Sequence, residues 1–168
     1  DELAIKDISH FVAKFRSSFF NNYYDTNPRV ICRTEAQFIS YLKKHHMNRY
    51  IAKNEMPCVS GAMFAPDDSS SSSRGTDNVK FVRGMWLDIE NGTMTHGEFA
   101  EVFPHIHFVA YNTFSHTRAK PRYRIYIPTS RVMTDAEYRL LFNEIVYVLE
   151  SKGFRRGKSY ADGGSEGA

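Results

Sequence analysis

Two carboxylates lie one residue apart in the stretch 84–92, which reads GMWLDIENG. The apolar residues before Asp88 and the Asn-Gly pair after Glu90 are typical of a strand that ends in a turn. Because side chains alternate between the two faces of a strand, Asp88 and Glu90 point the same way. Two adjacent carboxylates repel each other unless a cation lies between them, and their oxygens suit Mg²⁺ or Mn²⁺. The pair therefore indicates a metal site; the alternative is a strand that runs out into solvent with two exposed acids.

A second group of polar residues follows an apolar run over residues 105–114, which ends at Ser115-His116. Three basic residues come directly afterwards: Lys120, Arg122 and Arg124. Arginine and lysine bind phosphate oxygens, and carboxylates hold the cations that accompany polyphosphates. A site with both features aligns an attacking hydroxyl with an α-phosphate and stabilises the leaving pyrophosphate. The combination favours nucleotidyl transfer.

The segments 111–117 (YNTFSHT) and 120–128 (KPRYRIYIP), together with the Asp-x-Glu pair, resemble the catalytic core of the archaeo-eukaryotic primase superfamily. They are most similar to primase-polymerases of plasmids, phages and integrated elements, and the resemblance covers about residues 80–150. It implies a template-dependent DNA primase and polymerase, whose palm resembles the RNA-recognition fold. It also implies Mg²⁺ or Mn²⁺ as cofactor and three kinds of partner: single-stranded DNA template and primer, nucleoside triphosphates, and a fused or associated helicase.

The resemblance also implies roles for individual residues. Asp88 and Glu90 match the metal-binding acids of the first motif, and His116, with Ser115 beside it, matches the histidine that contacts the phosphates of the incoming nucleotide. The family places one residue between the small residue and the histidine, whereas here they are adjacent. The third acid of the family is either Asp162 or a residue beyond this sequence.

Three further residues are candidate DNA contacts: Arg74, Arg83 and Tyr126. Alternation places Tyr126 on the same face of the predicted strand 122–128 as Arg122 and Arg124. On that face its ring is expected to stack on a base. Arg74 and Arg83 are placed to assist a nearby anionic ligand.

Two other functions fit parts of the sequence. His105-Ile106-His107 resembles the metal site of rolling-circle replication nucleases, in which a tyrosine of a later helix, here Tyr138 or Tyr147, attacks DNA. That interpretation gives Asp88 and Glu90 no role. The non-enzymatic alternative is a sheet that binds single-stranded nucleic acid.

The elements that must position these residues alternate between helices and strands. The helical spacing of Ile8, Val12, Phe15 and Phe19 predicts a first helix, and capping boxes predict helices that begin after Thr34, Thr95 and Thr134. The predicted strands cover residues 30–32, 58–64, 79–89, 105–114 and 122–128, and the run over 105–114 is expected to be central. This order predicts an α+β or α/β fold, with helices on one face of a ferredoxin-like or RNA-recognition-like sheet and a primase-like core.

The composition supports a folded domain. The chain has 168 residues, of which 42% are hydrophobic, and its net charge is +3. We divide it into a mixed N-terminal part (1–56), a palm-like core (57–154) and a basic, glycine-rich tail (155–168), and expect a domain excised from a longer protein. Cys32 and Cys58 form no zinc or disulfide pattern, and the sequence has no apolar run of membrane-spanning length and no signal peptide. We therefore expect a cytoplasmic protein without a membrane partner.

Overall fold

The computed structural model of the chain describes residues 15–48, 50–64, 74–90 and 94–155. Within them lie eight strands, namely β1 (Phe15–Phe20), β2 (Arg29–Arg33), β3 (Cys58–Ser60), β4 (Ala62–Phe64), β5 (Val79–Val82), β6 (Met85–Ile89), β7 (Val109–Asn112) and β8 (Tyr123–Ile127). The α-helices of the same residues are α1 (Glu35–Met47), α2 (His96–Val102) and α3 (Asp135–Ser151). The strands form three antiparallel sheets, in the orders β2-β1-β3, β4-β5 and β6-β8-β7. An α+β fold is therefore confirmed.

The sheet β6-β8-β7 has a defined topology. β6 and β7 each pair antiparallel with β8, so they run in the same direction with β8 between them. α2 connects β6 to β7, and α3 follows β8. The predicted central strand over 105–114 is thus wrong in both length and place, because β7 covers only Val109–Asn112 and lies at an edge.

All three predicted capping boxes are confirmed. The hydroxyls of Thr34, Thr95 and Thr134 each accept a hydrogen bond from the backbone N–H three residues later. In each case the Gln or Glu side chain at that later position accepts from the backbone N–H of the threonine. These local bonds satisfy N–H groups that the first turn of a helix leaves without a partner.

The first predicted helix is wrong where the structure describes it, since Phe15–Phe20 is strand β1. Phe15 and Phe19 are four residues apart, a spacing that fits one face of a strand as well as one face of a helix. Pairing with β2 on one side and β3 on the other makes β1 the middle strand of its sheet. Ile8 and Val12 lie outside the described residues.

Two predicted strands are each divided in two at a glycine. Gly61 separates β3 from β4, and Arg83-Gly84 separates β5 from β6. The breaks contact each other, because the Arg83 N–H donates to the Gly61 carbonyl at 2.8 Å. A Cβ on Gly61 would overlap the Arg83 carbonyl oxygen, and Gly84 has a φ of 74°. The chain therefore leaves one sheet and enters another at both points.

Helices cover both faces of β6-β8-β7, whereas the sequence predicted them on one. Leu87 and Ile125 face α2 and α3 and share a core with Phe99, Ile145 and Leu149. On the opposite face, Phe38 of α1 packs on Trp86 and Tyr126, with ring centroids 5.9 and 5.4 Å away. β1 also pairs with β3, so the predicted parts 1–56 and 57–154 are joined by backbone hydrogen bonds. In the described part of the chain, no helix is both long and apolar enough to cross a membrane.

We expect Gly84→Ala to lower the free energy of unfolding by at least about 2 kcal/mol. The left-handed backbone alone costs a non-glycine residue about 1–2 kcal/mol, and the added Cβ would overlap the Tyr126 ring. Urea unfolding measures the change.

Gly97→Ala is the matched control. In α2 the added Cβ would meet only the Thr95 Oγ1 atom, at 3.7 Å, and alanine favours a helix by about 1 kcal/mol. Equal stability of the two variants would contradict this account of the break between β5 and β6.

Candidate active site

Three side chains lie side by side across β6-β8-β7. Asp88 of β6 pairs with Arg124 of β8, and Arg124 pairs in turn with Tyr111 of β7. Directly opposite residues of neighbouring strands project from the same face. On the face that α1 covers, this row is the next one after the pair Trp86 and Tyr126, two residues along each strand. The register thus places a carboxylate, a guanidinium and a phenol together.

Asp88 and Arg124 form a two-point ion pair. The Arg124 Nε donates to Oδ1 of Asp88 at 2.6 Å, and Nη2 donates to Oδ2 at 2.8 Å. Burial lowers the pKa of Arg124, but the hydrogen bonds and charges of Asp88 and Tyr111 together outweigh burial and raise that pKa above its ordinary value. The side chains stay 33% and 47% exposed, so solvent limits the strength of the pair. Both carboxylate oxygens of Asp88 are occupied by Arg124.

Tyr111 is the third member of the row. Burial raises the pKa of Tyr111 to about 12, although Arg124 lowers it through its charge and a hydrogen bond. The Tyr111 ring meets the Trp86 ring edge to face, with centroids 6.3 Å apart. The neutral hydroxyl therefore remains a partner of Arg124 at neutral pH. The sequence interpretation missed Tyr111 as a site residue. Tyr111 lies in the apolar run 105–114, but only the pairing of β7 with β8 places it opposite Arg124.

Glu90 follows β6 directly and is exposed. Because β6 ends at Ile89, the shared face of Glu90 and Asp88 stays a prediction from strand alternation. Among the described residues, no three His, Cys, Asp or Glu side chains are grouped closely enough to hold a metal ion. Two carboxylates alone suit a magnesium ion that takes its other ligands from water and substrate phosphates. Asp162 lies outside the described residues, so its part in such a site stays a prediction.

His116 lies in the connection between β7 and β8, which folds back on itself. The backbone N–H of His116 donates to the Thr113 carbonyl at 3.0 Å, and the backbone N–H of Thr117 donates to the Lys120 carbonyl at 3.1 Å. The Arg122 N–H then donates to Nδ1 of His116 at 3.1 Å. In the neutral imidazole this leaves the hydrogen on Nε2. The ring is thereby fixed at the start of β8, with Nε2 available as a donor.

The other predicted phosphate-binding residues near this ring belong to the same connection or follow it directly. Ser115 is the residue before it and is partly buried, as is Arg122, while Lys120 is exposed in the turn. The Thr113 N–H donates to the Arg122 carbonyl, which continues the pairing of β7 with β8 up to the turn. The structure thus brings Ser115, His116 and Arg122 to the same end of the sheet as Glu90.

Two of the three predicted DNA contacts are buried. Tyr126 is only 1% exposed beneath Phe38, so its ring offers no face to a base, and that prediction is wrong. Arg83 is 8% exposed, and burial lowers its pKa, so it is no surface contact either. Alternation alone placed Tyr126 outside the core, but α1 covers it; Arg83 lies at the break between β5 and β6. Arg74 does reach the surface, where its Nη1 donates to the Tyr23 carbonyl at 2.7 Å.

The two histidines of the nuclease interpretation are not on a strand as predicted, whereas Tyr138 and Tyr147 do lie on the helix after β8. His105 is in a turn after α2, and His107 is in irregular chain before β7, so neither is on a strand. The Ile106 N–H donates to the Phe103 carbonyl, which extends the helix end into the predicted strand. On α3, the Tyr138 hydroxyl contacts the Trp86 carbonyl oxygen at 3.4 Å, while Tyr147 is 69% exposed.

Comparison of the chain with models of protein families, with curated proteins and with solved structures finds no match.

We expect neutral His116 to carry its hydrogen on Nε2, because Nδ1 accepts from the Arg122 N–H. NMR spectra that correlate the ring nitrogens with the carbon-bound ring protons distinguish the two tautomers. The signals are assigned by their loss in His116→Gln. A neutral ring protonated on Nδ1 would contradict the geometry.

Proposed function

We propose that this chain is a catalytic domain of a DNA primase-polymerase that transfers nucleotides from nucleoside triphosphates to a primer on a single-stranded DNA template. Replication of a plasmid, phage or integrated element, with a fused or associated helicase, is the setting that the sequence resemblance implies. One observation carries the proposal. The acids Asp88 and Glu90 share an end of one sheet with the fixed ring of His116 and with Arg122 and Arg124.

The topology supports a palm of the ferredoxin-like type. The order β6-α2-β7-β8-α3, with β8 between β6 and β7, is that of the first five elements of this fold. In such a sheet the ends of β6 and β8 present their side chains on a single surface. That surface is where the acids and the basic residues meet.

Asp88 and Glu90 are the residues that would hold the metal. A bound Mg²⁺ or Mn²⁺ would neutralise charge on the triphosphate and orient its α-phosphate towards the attacking hydroxyl. Two carboxylates leave ligand positions for phosphate oxygens, as is usual for magnesium in polymerase sites. We include Asp162 as a third acid on the sequence resemblance alone.

His116, Arg122 and Lys120 would bind the triphosphate. With its hydrogen on Nε2, His116 donates to a phosphate oxygen without a change of charge. Arg122 and Lys120, from the same connection, would add positive charge, and Ser115 would add a hydroxyl. The hydrogen bond from the backbone N–H of Arg122 to Nδ1 holds the ring in place while Nε2 donates to the phosphate.

Arg124 controls access to Asp88. Since both carboxylate oxygens accept from Arg124, the guanidinium competes with a metal cation for Asp88. A triphosphate offers Arg124 an equivalent two-point partner. Arrival of the nucleotide therefore frees the carboxylate, and binding of metal and triphosphate is coupled.

Replacing both acids, Asp88→Ala with Glu90→Ala, is expected to reduce primer extension by at least about 100-fold, because the charge that holds the metal is lost. Primer extension with Mg²⁺ and with Mn²⁺ measures this, and circular dichroism melting tests whether the fold persists.

The pair Glu144→Ala and Glu150→Ala is the control, since it removes two exposed carboxylates of α3 with the same change of charge. Full extension by the Asp88/Glu90 variant, or an equal loss in the control, would disprove the proposed function.

Arg124→Gln is expected to strengthen binding of Mn²⁺ alone by several-fold, because Asp88 no longer has a competing cation. In the parent protein a non-hydrolysable triphosphate should strengthen Mn²⁺ binding, and in the variant this effect should shrink. Electron paramagnetic resonance of free Mn²⁺ measures both.

Arg139→Gln is the matched control, because Arg139 forms a comparable pair with Asp135 on α3, at 2.7 Å. Unchanged Mn²⁺ affinity in Arg124→Gln would overturn the role of Arg124 and leave the test of the two acids standing.

A further inference from the structure

Two tyrosines are exposed side by side in the turn between β1 and β2. Tyr23 is 61% exposed and Tyr24 is 69% exposed. Their rings meet edge to face, with centroids 5.5 Å apart, and both keep most of their surface in solvent. Two adjacent large aromatic side chains left in water indicate a contact surface.

Hydrogen bonds hold the turn in shape. The Asp25 carboxylate accepts from the backbone N–H groups of Asn21 and Asn27, at 2.8 and 3.0 Å. The Tyr23 N–H donates to the Asn54 carbonyl at 3.1 Å, and the Asn54 side-chain amide donates to the Tyr24 hydroxyl at 3.0 Å. The rings are therefore presented without a large further loss of entropy when a ligand binds.

One cationic side chain lies over the Tyr23 ring, and two others lie on the neighbouring elements. The Arg74 guanidinium lies 5.7 Å from the centroid of the Tyr23 ring and 4.7 Å from that of Phe20. Lys53 is exposed in the short 3₁₀ helix Lys53–Glu55, the element that Tyr23 and Tyr24 contact through Asn54. Arg29 lies over the Phe19 ring at 5.3 Å. Aromatic faces interleaved with arginine and lysine are what single-stranded nucleic acid binds, by stacking of bases and neutralisation of phosphates.

We propose that Tyr23, Tyr24, Arg74 and Lys53 form a surface that binds single-stranded nucleic acid, with bases stacked on the two tyrosines. The partner rests on the proposed function, in which single-stranded template is the second substrate. The surface supplies the exposed ring that buried Tyr126 does not. Its polar neighbours, among them Asn21, Thr26 and Asn27, favour nucleic acid over the apolar centre typical of a protein interface.

Fluorescence anisotropy with a labelled single-stranded oligodeoxynucleotide, without metal or triphosphate, tests the proposal. Replacing both rings, Tyr23→Ala with Tyr24→Ala, should weaken binding at least about tenfold, because two stacking faces are lost. The pair Tyr23→Phe and Tyr24→Phe keeps the faces and should bind like the parent protein. Lys53→Gln leaves the turn intact and should reduce the dependence of binding on salt.

Tyr147→Ala is the control, because Tyr147 is as exposed as Tyr24, at 69%, but belongs to α3 and not to the turn. An equal loss of affinity in this control, unchanged binding after replacement of both rings, or no binding by the parent protein would each overturn the surface. Self-association through the tyrosines in sedimentation, without DNA binding, would also overturn it. The Asp88/Glu90 variant should bind the oligonucleotide normally, so failure of this surface and failure of the nucleotidyl-transfer proposal have separate readouts.

Discussion

The antiparallel register of β6 on β8 is the constraint on which the rest of the structure depends. It places Trp86 opposite Tyr126 and, one pair further along the same face, Asp88 opposite Arg124. A slip of one residue would exchange the two faces of β8, turning Ile125 away from α2 and α3 and burying Arg124 in their place. The same pairing that builds the core therefore also fixes the charged end of the sheet.

Helix α1 divides this face into two regions. Phe38 closes the apolar region by packing on Trp86 and Tyr126, and leaves the Asp88–Arg124 pair half exposed beyond it. The ion pair balances charge while no other cation or anion is bound, and its two partners are the groups that a metal and a phosphate would each recognise. The proposed coupling of metal to nucleotide follows from this exchange of partners.

Local features of the fold were predictable from the sequence, and long-range ones were not. The capping box at Thr34 involves residues only three apart, so one short segment of sequence is enough to predict it. The spacing of Phe15 and Phe19 fits a helix and a strand equally, and the pairing of β1 with distant segments decides between them. Burial of Tyr126 and the pairing of Asp88 with Arg124 depend on α1 and on the β6–β8 register, which no stretch of sequence displays by itself.

The most direct test of the central claim is a crystal structure of the domain with Mn²⁺ and a non-hydrolysable nucleoside triphosphate. The account predicts that oxygens of Asp88 and Glu90 ligate the metal, that Nε2 of His116 donates to a phosphate, and that Arg124 has left Asp88. A triphosphate bound elsewhere, with Asp88 still paired to Arg124, would contradict it.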